Sequence, residues 1–121
     1  MKVSAIVIVT GVEETAHLRR SLPSLRPQVD ELVVVANGPG SVDGDLPDDV
    51  RVIRNDRMLG FSANINAGTA ATRGEYVVVS NPDAVPEPDA VPRLVAFADA
   101  HPRTRRAVSY THLTLPTICS V

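Results

Sequence analysis

Apolar residues arrive in short unbroken runs, each closed by turn-forming residues. Val3-Ser4-Ala5-Ile6-Val7-Ile8-Val9 reads as a first strand of the continuous, doubly buried kind found in parallel sheets. From Glu13 to Leu25, Ala16, Leu18, Leu22 and Leu25 recur at roughly helical spacing, and Pro23 is expected to kink or shorten that helix. Glu31-Leu32-Val33-Val34-Val35-Ala36 is a second strand, ending in Asn37-Gly38-Pro39-Gly40-Ser41, whose glycines permit a tight turn. Val42 to Asp49 is acidic and turn-rich, a surface loop. Val50-Arg51-Val52-Ile53-Arg54 is a short third strand. Ser62 to Thr72 is rich in alanine and predicts a helix, with Ser62 as its N-cap and Gly74 as its stop. Residues 75–80 form a fourth strand, and Asp89 to His101 a further helix with Val91, Leu94, Val95 and Ala98 on one face. Phe61 is expected in the core.

Short apolar strands alternating with helices of ten to fifteen residues predict an α/β fold. Its form is a three-layer α/β/α arrangement around a mostly parallel sheet. The end of the chain departs from this pattern. Val108–Val121 holds none of the 12 basic and 14 acidic residues of the chain, is rich in Thr, and shows no sustained periodicity. The run Val108-Ser109-Tyr110-Thr111-His112-Leu113-Thr114-Leu115-Pro116-Thr117 is similar to the translation of a transposon-type sequencing adaptor. The expectation is a domain over 1–107 and a non-native or disordered tail over 108–121, in which His112 and Cys119 carry no chemistry; the alternative is a natural edge strand or linker.

Composition narrows the classes of function. The 121 residues suffice for one domain. With 44% hydrophobic and 21% charged residues, a packed core is expected rather than disorder. A formal charge of -2 with both signs intermixed offers no field for nucleic acid. The single cysteine excludes an internal disulfide or a thiolate metal site. No apolar run approaches the roughly 20 residues needed to span a bilayer, and Met1-Lys2 leads directly into a strand, so no signal peptide is expected.

The chemistry-bearing residues cluster where strands end. Val77-Val78-Val79-Ser80 stops at Asn81-Pro82-Asp83, and open α/β sheets bind ligands at the carboxyl ends of their strands. Asp83 has two readings there: a hard-cation ligand for Mg²⁺ or Mn²⁺ shared with substrate phosphates, or a turn and capping residue. Asn37 ends the second strand as Asp83 follows the fourth, so it either meets a base edge in the same crevice or belongs to a plain glycine turn. Arg57, Gly60 and Asn66 surround the start of the alanine-rich helix, whose free N–H groups attract phosphate oxygens. Arg57 adds a charge-assisted contact. Asn66, a poor helix former, is assigned to the crevice. His17 and His101 read as exposed helix residues, and Glu13-Glu14 as favourable charges at a helix start. Dinucleotide, P-loop and zinc-peptidase motifs are absent.

Together, Val3 to Thr10, Glu31 to Val35, Asn37-Gly38, Leu59-Gly60-Phe61-Ser62 with Asn66 and Gly68, and Arg73-Gly74-Glu75-Tyr76 through Asn81-Pro82-Asp83 resemble family 2 glycosyltransferases. Those enzymes have the GT-A, Rossmann-like fold, and the rhamnosyltransferase-like branch is the most similar. The resemblance covers residues 3–107. It implies the nucleotide-sugar-binding half of a truncated GT-A domain, with Thr10, Asn37, Arg57, Gly60, Asn66, Asn81 and Asp83 facing the donor. Asp83 matches the last carboxylate of the family's Asp-x-Asp-type metal motif, and Asn81 its first position. It further implies metal-assisted, inverting transfer from a nucleotide-diphosphate sugar to a polysaccharide, lipid-linked or other glycan acceptor, in cell-wall or polysaccharide synthesis. The catalytic base is expected beyond residue 107, leaving the fragment inactive. The location implied is cytoplasmic, with membrane association through a C-terminal part. Three departures point to a divergent donor or a weak transferase: Gly11-Val12 replaces Tyr-Asn, Ala36 replaces Asp, and Met58 replaces Asn. A nucleotidyltransferase would carry a basic glycine-rich loop where Thr10-Gly11-Val12-Glu13-Glu14 stands. A receiver-type module would carry an acidic pair after the first strand. Neither is present.

Overall fold

The computed structural model describes residues 2–42 and 46–100, together with the backbone of two strands at 106–109 and 117–119. Its elements are β1 (Val3–Val9), α1 (Val12–Leu25), β2 (Glu31–Ala36), β3 (Val50–Arg54), α2 (Phe61–Ala70), β4 (Tyr76–Ser80), α3 (Ala90–Ala100), β5 (Arg106–Ser109) and β6 (Thr117–Cys119). A 3-10 turn, Arg26–Gln28, follows α1. The strands form one sheet in the order β3-β2-β1-β4-β5-β6. All neighbours run parallel except β5 and β6. The predicted three-layer α/β/α fold is therefore present. The expectation for 108–121 lies largely outside the described residues. So do His101, His112 and residues 43–45 of the acidic loop.

Alternation along the strands builds two cores. Val3, Ala5, Val7 and Val9 of β1 join Leu32, Val34 and Ala36 of β2 and Val78 of β4 against Leu18, Leu22 and Leu25 of α1 and Val91 and Leu94 of α3. The opposite face carries Ile6, Val33, Val35 and Val77, flanked by Ile8 and Ile53. There α2 lies so close to β1 that a Cβ on Gly68 would come within 2.9 Å of the Ile6 side chain. Strands buried on both faces explain why these runs are apolar without interruption.

Four local expectations are corrected. α1 continues through Pro23 to Leu25, because buried Leu22 and Leu25 hold its last turn on the sheet. α2 begins at Phe61, with Gly60 at the N-cap position and no side-chain cap, so Ser62 lies within the helix. Phe61 is 58% exposed rather than core, since the buried positions of α2 are Asn64 and Gly68. α2 ends at Ala70, and Gly74 has a different task from stopping it.

That task lies at the amino edge of the sheet. The Gly74 N–H donates to Ser4 Oγ at 2.9 Å, and Ser4 Oγ donates to Glu31 Oε1 at 2.7 Å. Glu31 Oε1 also accepts from the Arg73 N–H at 2.8 Å. Partial burial opposes the Glu31 charge. The Arg73 N–H, the Ser4 hydroxyl and the nearby Lys2 and Arg51 charges outweigh it and hold the carboxyl below its ordinary value. One buried hydroxyl thus joins β1, β2 and the turn into β4.

Candidate functional site

Parallel register aligns the carboxyl ends of four strands. Val9 pairs with Ala36, Ala36 with Arg54, and Val7 with Ser80. The next residues, Thr10, Asn37, Asn55 and Asn81, are all polar and stand along one edge. Strand order reverses between β1 and β4, and in such sheets that reversal opens the ligand crevice. Thr10 flanks it on one side, and Asn81-Pro82-Asp83 on the other.

Glycine and a short hydroxyl network shape the first side. Gly11 has φ 88°, which an L side chain rarely adopts, and lets the chain leave β1 for α1. Its N–H donates to Ser41 Oγ at 3.2 Å, while Ser41 Oγ donates to the Asn37 carbonyl at 2.8 Å. Thr15 Oγ1 donates to the Ser41 carbonyl at 2.5 Å. The Thr10 N–H donates to Glu14 Oε2 at 3.1 Å, so Glu14 satisfies a donor at the start of α1 in addition to its dipole effect.

Asn37 is 5% exposed and turned inward. Its Oδ1 accepts from the Leu59 N–H at 2.8 Å, and its Nδ2 donates to the Leu59 carbonyl at 3.1 Å. The side-chain amide thereby mimics a peptide group, reading both backbone polar atoms of one residue. Nδ2 also donates to Thr10 Oγ1 at 3.2 Å. The side chain ties the ends of β1 and β2 to the segment that enters α2.

Two residues that sequence reasoning passed over extend this network. Asn55 Nδ2 donates to Asn37 Oδ1 at 3.2 Å and to Asn64 Oδ1 at 2.7 Å. Asn64, 1% exposed, donates from Nδ2 toward the Leu59 carbonyl at 3.4 Å. A polar chain, Thr10–Asn37–Asn55–Asn64, therefore crosses the edge from β1 to α2. The available signal was positional: Asn55 follows β3 as Asn37 follows β2.

The remaining expected residues are distributed as follows. Gly60 is exposed at the start of α2, Arg57 is exposed just before it, and Asn66 is exposed on α2. Asn81 is half-buried and Asp83 exposed, between buried Pro82 and Ala84. The Ala84 N–H donates to the Asn81 carbonyl at 3.1 Å, closing a turn that presents Asp83. The connection onward to α3 is fastened by Gln28, whose Nε2 donates to the Glu87 carbonyl at 2.8 Å and whose Oε1 accepts from the Val91 N–H at 2.9 Å. The Ala36 side chain packs into the core and brings no polar group to the edge. Among the described residues, no group of three His, Cys, Asp or Glu side chains is placed to hold a metal ion, and no helix is long and apolar enough to cross a membrane.

Comparison with known proteins agrees with this architecture. Residues 5–109 match the family model described as glycosyl transferase family 2. No curated protein matches the chain. Among solved structures, S. aureus TarS (residues 1–349) is similar, with 22% identity and a TM-score of 0.58 over 84% of this chain. The chain spans 33% of that structure's length, and the likeness concerns the fold.

Proposed function

The chain belongs to glycosyl transferase family 2, and from that premise we propose that its carboxyl edge binds the nucleotide-diphosphate part of a sugar donor. The supporting observation is that Thr10 and Asn81-Pro82-Asp83 follow the two strands between which strand order reverses. Asn37 acts from beneath, holding Thr10 and Leu59. Gly60 and the first N–H groups of α2 face the phosphates, with Arg57 supplying a positive charge. Asn66 stands further along α2, on the donor side. With Ala36 buried, the base is held by groups other than a carboxylate at that position, which supports a donor site that departs from the family's usual one.

The oxygen donors of Asp83 and Asn81 suit Mg²⁺ or Mn²⁺, but one carboxylate holds such an ion only when diphosphate oxygens complete its shell. When bound, the ion would supply positive charge against the diphosphate leaving group. The rest of the reaction we assign to the whole protein. An acceptor hydroxyl of a polysaccharide, lipid-linked or other glycan is deprotonated by a carboxylate outside residues 1–107, and it displaces the diphosphate with inversion. Residues 108–121 are proposed to lie outside the donor-binding unit.

The test is calorimetric titration of the chain with UDP and with dTDP, each with and without Mn²⁺. Mn²⁺ should tighten nucleotide binding, and Asp83→Asn should remove at least about a tenfold share of that gain, ~1.4 kcal/mol. In a longer, active protein the same change should lower turnover by about 10²–10⁴. Metal-independent binding unchanged by Asp83→Asn would leave Asp83 as a turn residue.

A further inference from the structure

We propose that Asn55 is a positioning residue for the nucleotide edge, setting where the Leu59–Gly60 segment lies against the end of β2. This rests on the reading of that edge as the donor site. The geometry identifies Asn55 as the donor at the centre of the polar chain. The Leu59 N–H can only donate and its carbonyl can only accept, so their bonds to Asn37 fix the orientation of the Asn37 amide. Asn37 Oδ1 therefore faces Asn55, which must present its NH₂ there. The second Asn55 hydrogen is directed at Asn64 Oδ1, the shorter of the two bonds at 2.7 Å. Asn55 is itself held in line by its backbone N–H, which donates to the Ala36 carbonyl at 2.9 Å and continues the β2–β3 ladder past Arg54. Asn37 and Asn64 each contact Leu59, so Asn55 joins two side chains that grip the same residue. Gly60, at the N-cap position of α2, follows immediately, and any shift of Leu59 moves the first N–H groups of α2 with it.

The arrangement makes an asymmetric demand on chemistry. At position 64 an aspartate keeps the oxygen that Asn55 needs and receives a charge-assisted bond from it, against the cost of a charge at a site 1% exposed and of an oxygen facing the Leu59 carbonyl at 3.4 Å. At position 55 an aspartate loses both donors and sets a carboxylate against two oxygens. Hydrogen exchange of the Leu59 amide, read by NMR on the 121-residue chain, separates these cases. Asn55→Asp and Asn55→Ala should raise Leu59 exchange by about tenfold or more, whereas Asn64→Asp should raise it at least about threefold less than Asn55→Asp does. Val33 and Val35, in the middle of β2, report global opening and should be unaffected. If Asn55→Asp unfolds the chain, Asn55→Ser, which keeps one donor, should give an intermediate rise with the core intact. UDP and dTDP affinities should fall about tenfold in the Asn55 variants and by less in Asn64→Asp. Equal effects of aspartate at 55 and 64, or Leu59 exchange unchanged in Asn55→Ala, would overturn the assignment. Raised exchange with undiminished nucleotide affinity would overturn its link to the site. A parent chain that binds neither nucleotide, with the exchange pattern as expected, would count against the donor-site reading and not against the role of Asn55 in placing Leu59.

Discussion

Replacing Gly74 by alanine would drive a methyl group into the amino edge of the sheet. An ideal Cβ there lies 2.7 Å from Ser4 N and 2.9 Å from the Tyr76 carbonyl oxygen, with Ser4 Oγ nearer still. Two of these three obstacles are backbone, and β1 and β4 are paired through Val3–Tyr76 and Ser4–Val77, so relief requires moving the turn or opening the ladder. Moving the turn breaks the 2.9 Å bond from the Gly74 N–H to Ser4 Oγ at a residue with no exposed surface. Overpacking of this kind costs about 1–3 kcal/mol, and the lost bond about 1 kcal/mol more. The stiffer unfolded chain returns about 0.4–1 kcal/mol. The net loss is about 1–3.5 kcal/mol, which for a domain of this size lowers Tm by about 4–14 °C. Thermal melts followed by circular dichroism at pH 7 measure it directly. In a Ser4→Ala background the closest obstacle is gone, so the Gly74→Ala penalty should shrink by about 1 kcal/mol yet persist. A Tm within about 2 °C of the parent would refute the close-packed account of this edge.

The same edge should respond to acid. The Glu31 carboxyl is depressed in the fold, so its ionised form stabilises above the ordinary value of 4.5, and that contribution is lost as pH falls through the folded value. Glu31→Gln should therefore lower Tm more at pH 7 than at pH 3; an equal loss at both would show that the charge contributes nothing. Deletion of residues 110–121, which keeps β5 whole, tests whether the chain beyond it belongs to the sheet. The three-residue β6 lies at the end of the strand order, and removing it should shift Tm by no more than about 2 °C, whereas a drop beyond about 10 °C would make the tail a native part of the sheet.

Element order and layer architecture could be read from the chain because runs such as Val33-Val34-Val35 and Val77-Val78-Val79 are apolar on both faces of each strand, a demand that only a covered parallel sheet makes. Side-chain roles were less legible. For Asn37 the sequence leaves a base-edge contact and a plain glycine turn both open; its amide is engaged by Leu59, a partner 22 residues away that no local pattern announces. Poor helix propensity singles out Asn66, yet it applies equally to Asn64, and only the position of the sheet decides which is buried. Phe61 was assigned to the core for its size, whereas Val12, Met58, Phe61 and Val85 are all exposed in connections that follow strand ends. Gly74 was legible as glycine but not for its reason, because the obstacle to a larger residue is Ser4, from the start of the chain.

The inward-turned Asn37 also bears on how this molecule ages. Asn-Gly is the dipeptide most prone to lose its side-chain amide: the glycine nitrogen attacks the asparagine Cγ, ammonia departs, and the cyclic imide opens to aspartate or its isomer. Here the Gly38 N–H donates to the Ala36 carbonyl at 3.1 Å, and the Asn37 amide is gripped from both sides by Leu59, so attacking atom and target are restrained separately. Folding thus acts as a preservative for its own keystone. A chain that dwells in an opened state becomes chemically altered at the position needed to close again, and its history of exposure is written in a covalent bond.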